Sequence, residues 1–164
     1  MSYSESLDRS RNLSEIFEVV KRVVQENLRQ LRAGLMLGLA DLGNHPSGFI
    51  GAFYPLASNV IVMNKVPLKR IQETNPELYR PYSFNVLLHE YLHTLGYLEE
   101  VTVRRIVLQL SRKAFGEEHL ATQVATDYSA FFPNLVYPEV AWRPEELSLE
   151  IVPDFDQSNA TYIG

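Results

Sequence analysis

The sequence has no cysteine and no long apolar run. The absence of cysteine from its 164 residues excludes a disulfide framework, an iron–sulfur cluster, a cysteine nucleophile and any zinc finger built on thiolates. The longest apolar stretch, residues 33–42, is interrupted by glycine and aspartate, and it is far shorter than the roughly twenty residues of a membrane span. Residues 1–11 are polar and lack the apolar core of a secretory signal. We therefore expect a cytoplasmic protein without a membrane partner.

Positive charge is also scarce. The chain has 15 Lys and Arg against 20 Asp and Glu, for a formal net charge of −5. A general nucleic-acid binder needs a basic face, so no nucleic-acid partner is expected. The length is typical of one domain. The acidity is concentrated at one end, because residues 1–142 have a net charge of −1 and residues 143–164 a net charge of −4.

We therefore expect a single catalytic domain over 1–142 and an acidic C-terminal tail over 143–164. The tail has two interpretations. Its charge is typical of a flexible end. The alternation of Leu147, Leu149 and Ile151 instead indicates a short strand that packs on the domain, where the tail could cover the active-site cleft.

Hydrophobic periodicity predicts an α+β domain. Its helices fall over 12–32, 82–96, 99–115 and 117–132, with one or two short helices between residues 66 and 79. Its strands fall over 35–39, 49–54 and 59–64, and the last two read as a hairpin. We expect a small, twisted, mostly antiparallel sheet with helices packed on it. The helix over 82–96 is apolar on nearly every side, so it should be buried.

The predicted buried helix contains the sequence His89-Glu90-Tyr91-Leu92-His93. Histidines at i and i+4 lie on one helical face, so their imidazoles can converge on one zinc ion. Glu90 points to the neighbouring edge of that face, within reach of a zinc-activated water rather than of the metal. This spacing predicts His89 and His93 as zinc ligands and Glu90 as the general base of a hydrolase.

Catalytic zinc sites usually have three protein ligands, so a third is expected. Gly96 allows a sharp turn after the helix, and Glu99 three residues later can then swing back to the metal. Glu100 is a spare for the same role. The other candidate is His119, although the helix between it and the motif would carry the chain away from the site. His45 is expected at the surface.

The whole pattern, His-Glu-x-x-His-x-x-Gly-x-x-Glu, resembles that of the zincin metallopeptidases over residues 89–99. The chain is also similar to a small archaeal family of predicted metal-dependent peptidases. The resemblance implies a zincin-like fold, Zn²⁺ bound by His89, His93 and Glu99, Glu90 as the base, and a peptide or protein substrate. It also implies that an edge strand from the hairpin ending at 59–64 pairs with the extended substrate.

The chain departs from the ordinary metzincins, because no methionine follows Met63 to form a methionine turn. A glutamate on a later helix, Glu117 or Glu118, would correspond to the gluzincin arrangement. Two other functions stay open. A similar histidine run occurs in bacterial endoribonucleases, so the substrate of a metal-dependent hydrolase could be RNA. A zinc held by four protein ligands would instead indicate a non-catalytic protein with a structural metal.

Other side chains offer weaker signals. Tyrosine side chains could stabilise the oxyanion that forms in the reaction, and the candidates are Tyr97, Tyr128 and Tyr137. Two neighbouring arginines, Arg104 and Arg105, could clamp a carboxylate, although a solvated helix face is the commoner reason for such a pair.

Overall fold

The computed structural model describes residues 1–43, 48–138, 142, 144 and 147–156. The described part is mixed α+β, as predicted. Its helices are α1 (Tyr3–Asp8), α2 (Leu13–Leu28), α3 (Lys65–Thr74), α4 (Tyr79–Thr94), α5 (Glu100–Phe115), α6 (Leu120–Thr126) and α7 (Tyr128–Phe131). Its strands are β1 (Met36–Ala40), β2 (Phe49–Ile50), β3 (Ala52–Phe53), β4 (Val60–Asn64), β5 (Leu135–Val136) and β6 (Glu150–Ile151). Within the described residues, no helix combines the length and the hydropathy that crossing a membrane requires.

The main sheet has the strand order β3-β4-β1-β6 and is mixed. The predicted hairpin is confirmed, because β3 and β4 pair antiparallel, and β6 also lies antiparallel to β1. The longest pairing is nevertheless parallel and joins β1 to β4 from Met36↔Val60 to Ala40↔Asn64. A separate pair, β2 and β5, is parallel too. The sheet is therefore mixed. Two of the three pairings in the main sheet are antiparallel, as expected, and the parallel one is possible because the chain between β1 and β4 is long enough for the crossover that parallel strands need.

Helix α2 confirms its predicted start, and the region of α6 and α7 departs from the prediction. Helix α2 begins where expected, and the side chain of Asn12 caps it by accepting a hydrogen bond from the Glu15 amide at 2.9 Å. The single helix predicted over 117–132 was wrong, because the structure has α6 and α7 in its place. Asp127 breaks the helix by taking a non-helical backbone with φ −150° and ψ 79°, and its carboxylate then caps α7.

Helix α4 lies at the centre of the fold, and its residues 81–94 are all buried. It packs against α2, α5 and α6. Arg32 holds its C-terminal end, because the guanidinium donates to the carbonyl oxygens of Thr94 at 2.9 Å and Ser58 at 2.7 Å. The Tyr91 hydroxyl accepts a hydrogen bond from the Arg32 amide at 2.8 Å. These bonds fix the helix that carries the histidines relative to the loop of the hairpin.

The described end of the tail packs against α2 and β1. The Val152 amide donates to the Leu37 carbonyl oxygen at 2.9 Å, next to the predicted strand, which is β6. The ring of Phe155 stacks on that of Phe17 with centroids 4.2 Å apart. The buried carboxylate of Asp156 lies 2.6 Å from Lys21 Nζ. It also accepts hydrogen bonds from the backbone amides of Gly34 and Leu35, just before β1. Residues 143, 145–146 and 157–164 lie outside the described part of the tail.

Candidate metal centre

Helix α4 brings the three motif residues together. His89, Glu90 and His93 each offer a ligand atom within 4.8 Å of the others, and all three side chains are at least nine-tenths buried. The two imidazole centroids are 4.9 Å apart, as the i, i+4 spacing predicts. This buried group can hold a metal ion.

A fourth side chain, that of Glu100, reaches the same point from the first turn of α5. Its Oε2 lies 2.8 Å from His89 Nε2, and its Oε1 lies 2.9 Å from His93 Nε2. The turn that returns the chain to the site depends on Gly96. Its backbone has φ +104°, a value that residues with a Cβ rarely adopt. One carboxylate therefore spans both imidazoles.

Three polar atoms at this point are buried and make no hydrogen bond: His89 Nε2, Glu90 Oε2 and Glu100 Oε2. The first and third of these are close in distance, but their geometry does not form a hydrogen bond between them. Buried polar atoms without partners are costly, and such atoms in native proteins need an explanation. A cation between the two imidazoles and the carboxylate would satisfy these atoms, so the residues present fit a bound metal.

The orientation of His93 is set by a backbone oxygen. Its Nδ1 donates to the carbonyl oxygen of Tyr97 at 2.7 Å. A carbonyl cannot donate, so Nδ1 carries a hydrogen and Nε2 is the atom that faces Glu100. Backbone acceptors of this kind commonly fix the tautomer of metal-binding histidines. Tyr97 therefore contributes to the site through its main chain.

Burial and neighbouring charges shift the pKa values of the four titratable side chains in the centre. Burial raises the pKa of Glu90 to about 8. Burial likewise lowers the pKa of His89, because the charged imidazolium is disfavoured there. Burial works against ionised Glu100 as well, but the two histidines that face this carboxylate overcome burial and hold its pKa at about 2. Burial is also outweighed at His93, whose pKa is raised by Glu100, Glu90 and the Tyr97 carbonyl.

The other candidate ligands lie elsewhere. Glu99 occupies the cap position of α5, where its side chain is exposed and 3.5 Å from the Thr102 hydroxyl. His119 caps α6, with Nδ1 accepting from the Ala121 amide at 3.0 Å and Nε2 3.0 Å from an Asp8 oxygen.

The remaining candidates add nothing to the centre. Glu117 pairs with Arg112 at 2.8 Å, and the Glu118 carbonyl oxygen accepts a hydrogen bond from Gln123. His45 lies outside the described residues.

Two further residues contact the centre. The sequence offered Tyr137 only as a weak candidate, and it did not indicate Asn85. The ring of Tyr137 stacks on that of His89 with centroids 3.9 Å apart. Asn85 lies one turn before His89, and its Nδ2 donates to the Tyr137 hydroxyl at 3.0 Å. The spacing of Asn85 from His89, i and i+4, was the signal that could have identified it. No sequence signal indicated the contacts of Tyr137 with Asn85 and His89, because these residues are far apart in the chain.

A cleft of about 340 Å³ opens beside His89. Asn85, Tyr128 and Tyr137 line it together with residues of α5 and α6, among them Arg104 and Arg105. Of the described tail residues 147–156, none lines this cleft.

The predicted substrate-binding strand is placed differently. Strand β4 is flanked by β3 and β1, so both of its sides are occupied. The outer strand is β3, but Ala52 and Phe53 are buried, and the ring of Trp142 contacts Phe53 with centroids 5.1 Å apart. The hairpin thus supplies an outer strand, as expected, but this strand is β3, and its pairing with a substrate stays a prediction.

Comparison with known proteins does not identify a relative. No protein-family model, no curated protein and no solved structure matches the chain. The resemblance to zincins thus depends on the motif itself.

Proposed function

We propose that the protein is a zinc-dependent metallopeptidase. His89, His93 and Glu100 would hold the metal, and Glu90 would act as the general base. The observation that carries the proposal is the convergence of two imidazole Nε2 atoms and one carboxylate on a single buried point, with a second carboxylate beside it. We propose Glu100 in place of Glu99 because its oxygens lie within 3 Å of both histidines, whereas the Glu99 side chain is exposed.

The donor set supports zinc. Two imidazoles and one carboxylate are typical of catalytic zinc sites, which leave a further coordination position open. Sites for magnesium or calcium consist mainly of oxygen ligands, so the two imidazoles argue against those metals. When bound, zinc supplies Lewis acidity and lowers the pKa of water toward about 7.

The role of Glu90 follows from its environment. Burial raises the pKa of this carboxyl to about 8, and a nearby cation would favour its ionised form. A pKa near neutrality suits a group that gains and loses a proton during each turnover. Glu90 would take a proton from the attacking water as the new C–O bond forms. It would then pass that proton to the amine as the C–N bond of the peptide breaks.

Two observations separate this proposal from the alternatives. The formal net charge of −5 does not favour RNA as the substrate. A structural zinc would need a fourth protein ligand, and within the described residues the carboxylate close enough to supply it is Glu90. Glu90 is therefore the residue that distinguishes a catalytic centre from a structural one.

The deciding experiment combines metal analysis with a peptide-cleavage assay on the full chain. We expect about one zinc per chain and cleavage of quenched fluorescent peptides. Glu90→Gln should keep the zinc and lower turnover by about 10²–10⁴-fold. Glu117→Gln, which alters an exposed carboxylate, is the matched control and should retain activity. Zinc-free protein under replete conditions, or an active Glu90→Gln variant, would refute the proposal, and loss of zinc in Glu90→Gln would indicate a structural centre.

A further inference from the structure

We propose that the cleft beside His89 binds an anionic group of the substrate and that Arg104 recognises it. The group would be a carboxylate, from an acidic side chain or from the C-terminus of a peptide, next to the bond that is cleaved. This inference rests on the proposed peptidase function and adds a substrate preference to it.

The position of Arg104 connects the cleft to the metal centre. Its guanidinium lies 5.3 Å from the ring centroid of Tyr128 and 5.7 Å from that of Tyr137. The Tyr137 ring in turn stacks on His89. A single aromatic ring therefore separates the arginine from a proposed metal ligand. Aromatic faces hold a guanidinium in place while leaving its N–H groups available to a carboxylate.

The charges around the cleft favour an anion. Within the described residues, Arg104 forms no ion pair with a carboxylate. Among the described lining residues of the cleft, the acidic one is Asp127. Its Oδ1 accepts hydrogen bonds from the Ser129 hydroxyl at 2.7 Å and from the Ala130 amide at 3.3 Å. Arg105 adds a second positive charge to the lining. The cleft is thus cationic in a chain that is acidic as a whole.

A buried polar group on the inner wall is also left without a partner. Asn85 is 5% exposed, and its Oδ1 makes no hydrogen bond while its Nδ2 donates to Tyr137. The tyrosine hydroxyl can either donate or accept. If the amide turns over, the hydroxyl donates to Oδ1, and the freed Nδ2 can donate to an arriving carboxylate. With the amide in that orientation, Asn85 would supply a second hydrogen-bond donor from the inner wall of the cleft.

The dimensions suit one side chain of a peptide. A volume of about 340 Å³ lies at the lower end of the range for ligand pockets, roughly 300–1,000 Å³. Successive residues of an extended peptide are spaced by about 3.3–3.6 Å, so a residue adjacent to the cleaved bond can place its side chain in the cleft.

The test measures binding rather than turnover. The zinc-loaded full chain is titrated calorimetrically with short peptides that carry a metal-chelating hydroxamate, identical except for one side chain and the C-terminal group. One probe has glutamate and an amidated C-terminus, a second has glutamine and an amidated C-terminus, and a third has glutamine and a free C-terminus. We expect a probe with a carboxylate to bind about tenfold more tightly than the neutral glutamine amide. The tighter of the two acidic probes identifies the source of the carboxylate.

Two variants assign the preference to one arginine. Arg104→Met should abolish the preference, and Arg112→Met, which removes the same charge from the same helix but away from the cleft, should keep it. Equal binding of all three probes, or a preference that survives Arg104→Met, would overturn this inference and leave the peptidase proposal intact. Failure of every hydroxamate to bind the zinc-loaded chain would overturn both.

Discussion

The imidazole of His89 is stacked face to face on the phenol ring of Tyr137, with 11° between the two planes. Tyr137 follows β5, whereas His89 belongs to α4, so the contact joins two distant parts of the chain. The tyrosine is itself held by the hydrogen bond from Asn85. This arrangement orients a proposed metal ligand through an aromatic surface, while His93 is oriented through a backbone carbonyl.

Tyr137→Ala should weaken zinc binding, because the His89 ring would lose the surface that fixes its plane. We expect the dissociation constant for zinc to rise about 10-fold, the lower end of the effect of residues that support metal ligands. Tyr137→Phe keeps the ring and should bind zinc nearly as well as the wild type. Competition with a chelating dye measures both constants. Equal loss in the two variants would assign the effect to the hydroxyl and not to the stacking.

Glu100→Gln should lower zinc affinity more severely, because it removes the negative charge of a carboxylate whose two oxygens each face one imidazole. We expect a loss of at least about 100-fold, beyond the range for residues outside the coordination sphere. Glu99→Gln is the matched control, since it makes the same change at the adjacent, exposed position. If the Glu99 variant loses the metal and the Glu100 variant keeps it, the third ligand is the one that sequence spacing predicts.

Glu90 should make the stability of the metal-free protein depend on pH. Its pKa rises from an ordinary 4.5 to about 8 on folding, because burial disfavours the carboxylate. Between these values the folded state binds more protons than the unfolded state, so the free energy of unfolding falls as pH rises. The contribution approaches about 1.4 kcal/mol per pH unit within that window.

Urea denaturation with a chelator present, at several pH values from 5 to 8, tests this slope. Glu90→Gln does not titrate and should lack this part of the pH dependence. Parallel profiles for the two proteins would show that Glu90 keeps an ordinary pKa in the folded state.

Gly96→Ala should strain the turn between α4 and α5, because φ at this position is +104°. A residue with a Cβ in a left-handed conformation costs about 1–2 kcal/mol. Gly116 also has a positive φ, +82°, but it follows α5 at the end away from the metal centre. Both alanine variants should be less stable to urea, and we expect zinc affinity to fall in Gly96→Ala alone. Equal zinc affinity in the two variants would mean that the turn does not position Glu100.

Asp156→Asn should destabilise the fold through the ion pair with Lys21. The carboxylate is fully buried, and Lys21 is 3% exposed. Removing one charge of a buried pair costs about 3–5 kcal/mol when the other charge is left without a partner. Glu18 also lies 2.8 Å from Lys21 Nζ, so we expect a loss at the lower end of that range. Arg11→Met breaks an exposed pair with Glu15 and should cost far less, because solvent screens exposed charges. Urea denaturation compares the two, and similar small losses would show that the buried pair contributes little.

Much of the site could be predicted from sequence because its chemistry is local. The spacing of His89, Glu90 and His93 on one helix determines their proximity, and the apolar surroundings of the motif predict its burial. The third carboxylate is different. Glu99 and Glu100 are neighbours, and which of them returns to the histidines depends on the exact turn at Gly96. The spacing of residues in the sequence does not determine which of two adjacent residues at the start of a helix faces the histidines.

The sheet shows the same limit. The hairpin of β3 and β4 joins strands that are close in the chain, and turn residues between them predicted it. The parallel pairing of β1 with β4 depends on how the intervening segment crosses the fold, which no local pattern encodes. Asp127 illustrates a further case, because its capping side chain competes with the helical backbone and divides the helix predicted over 117–132.

The proposed ligands lie within a short stretch of chain, from His89 to Glu100, whereas Lys21 and Asp156 are 135 positions apart. Closing a short loop loses less chain entropy than closing a long one, and contacts between distant residues form slowly. If zinc binds as proposed, all of its ligands come from α4, the turn at Gly96 and the start of α5. Zinc added during refolding would then reach these ligands before the C-terminal segment docks, and it would stabilise this part of the chain early in folding.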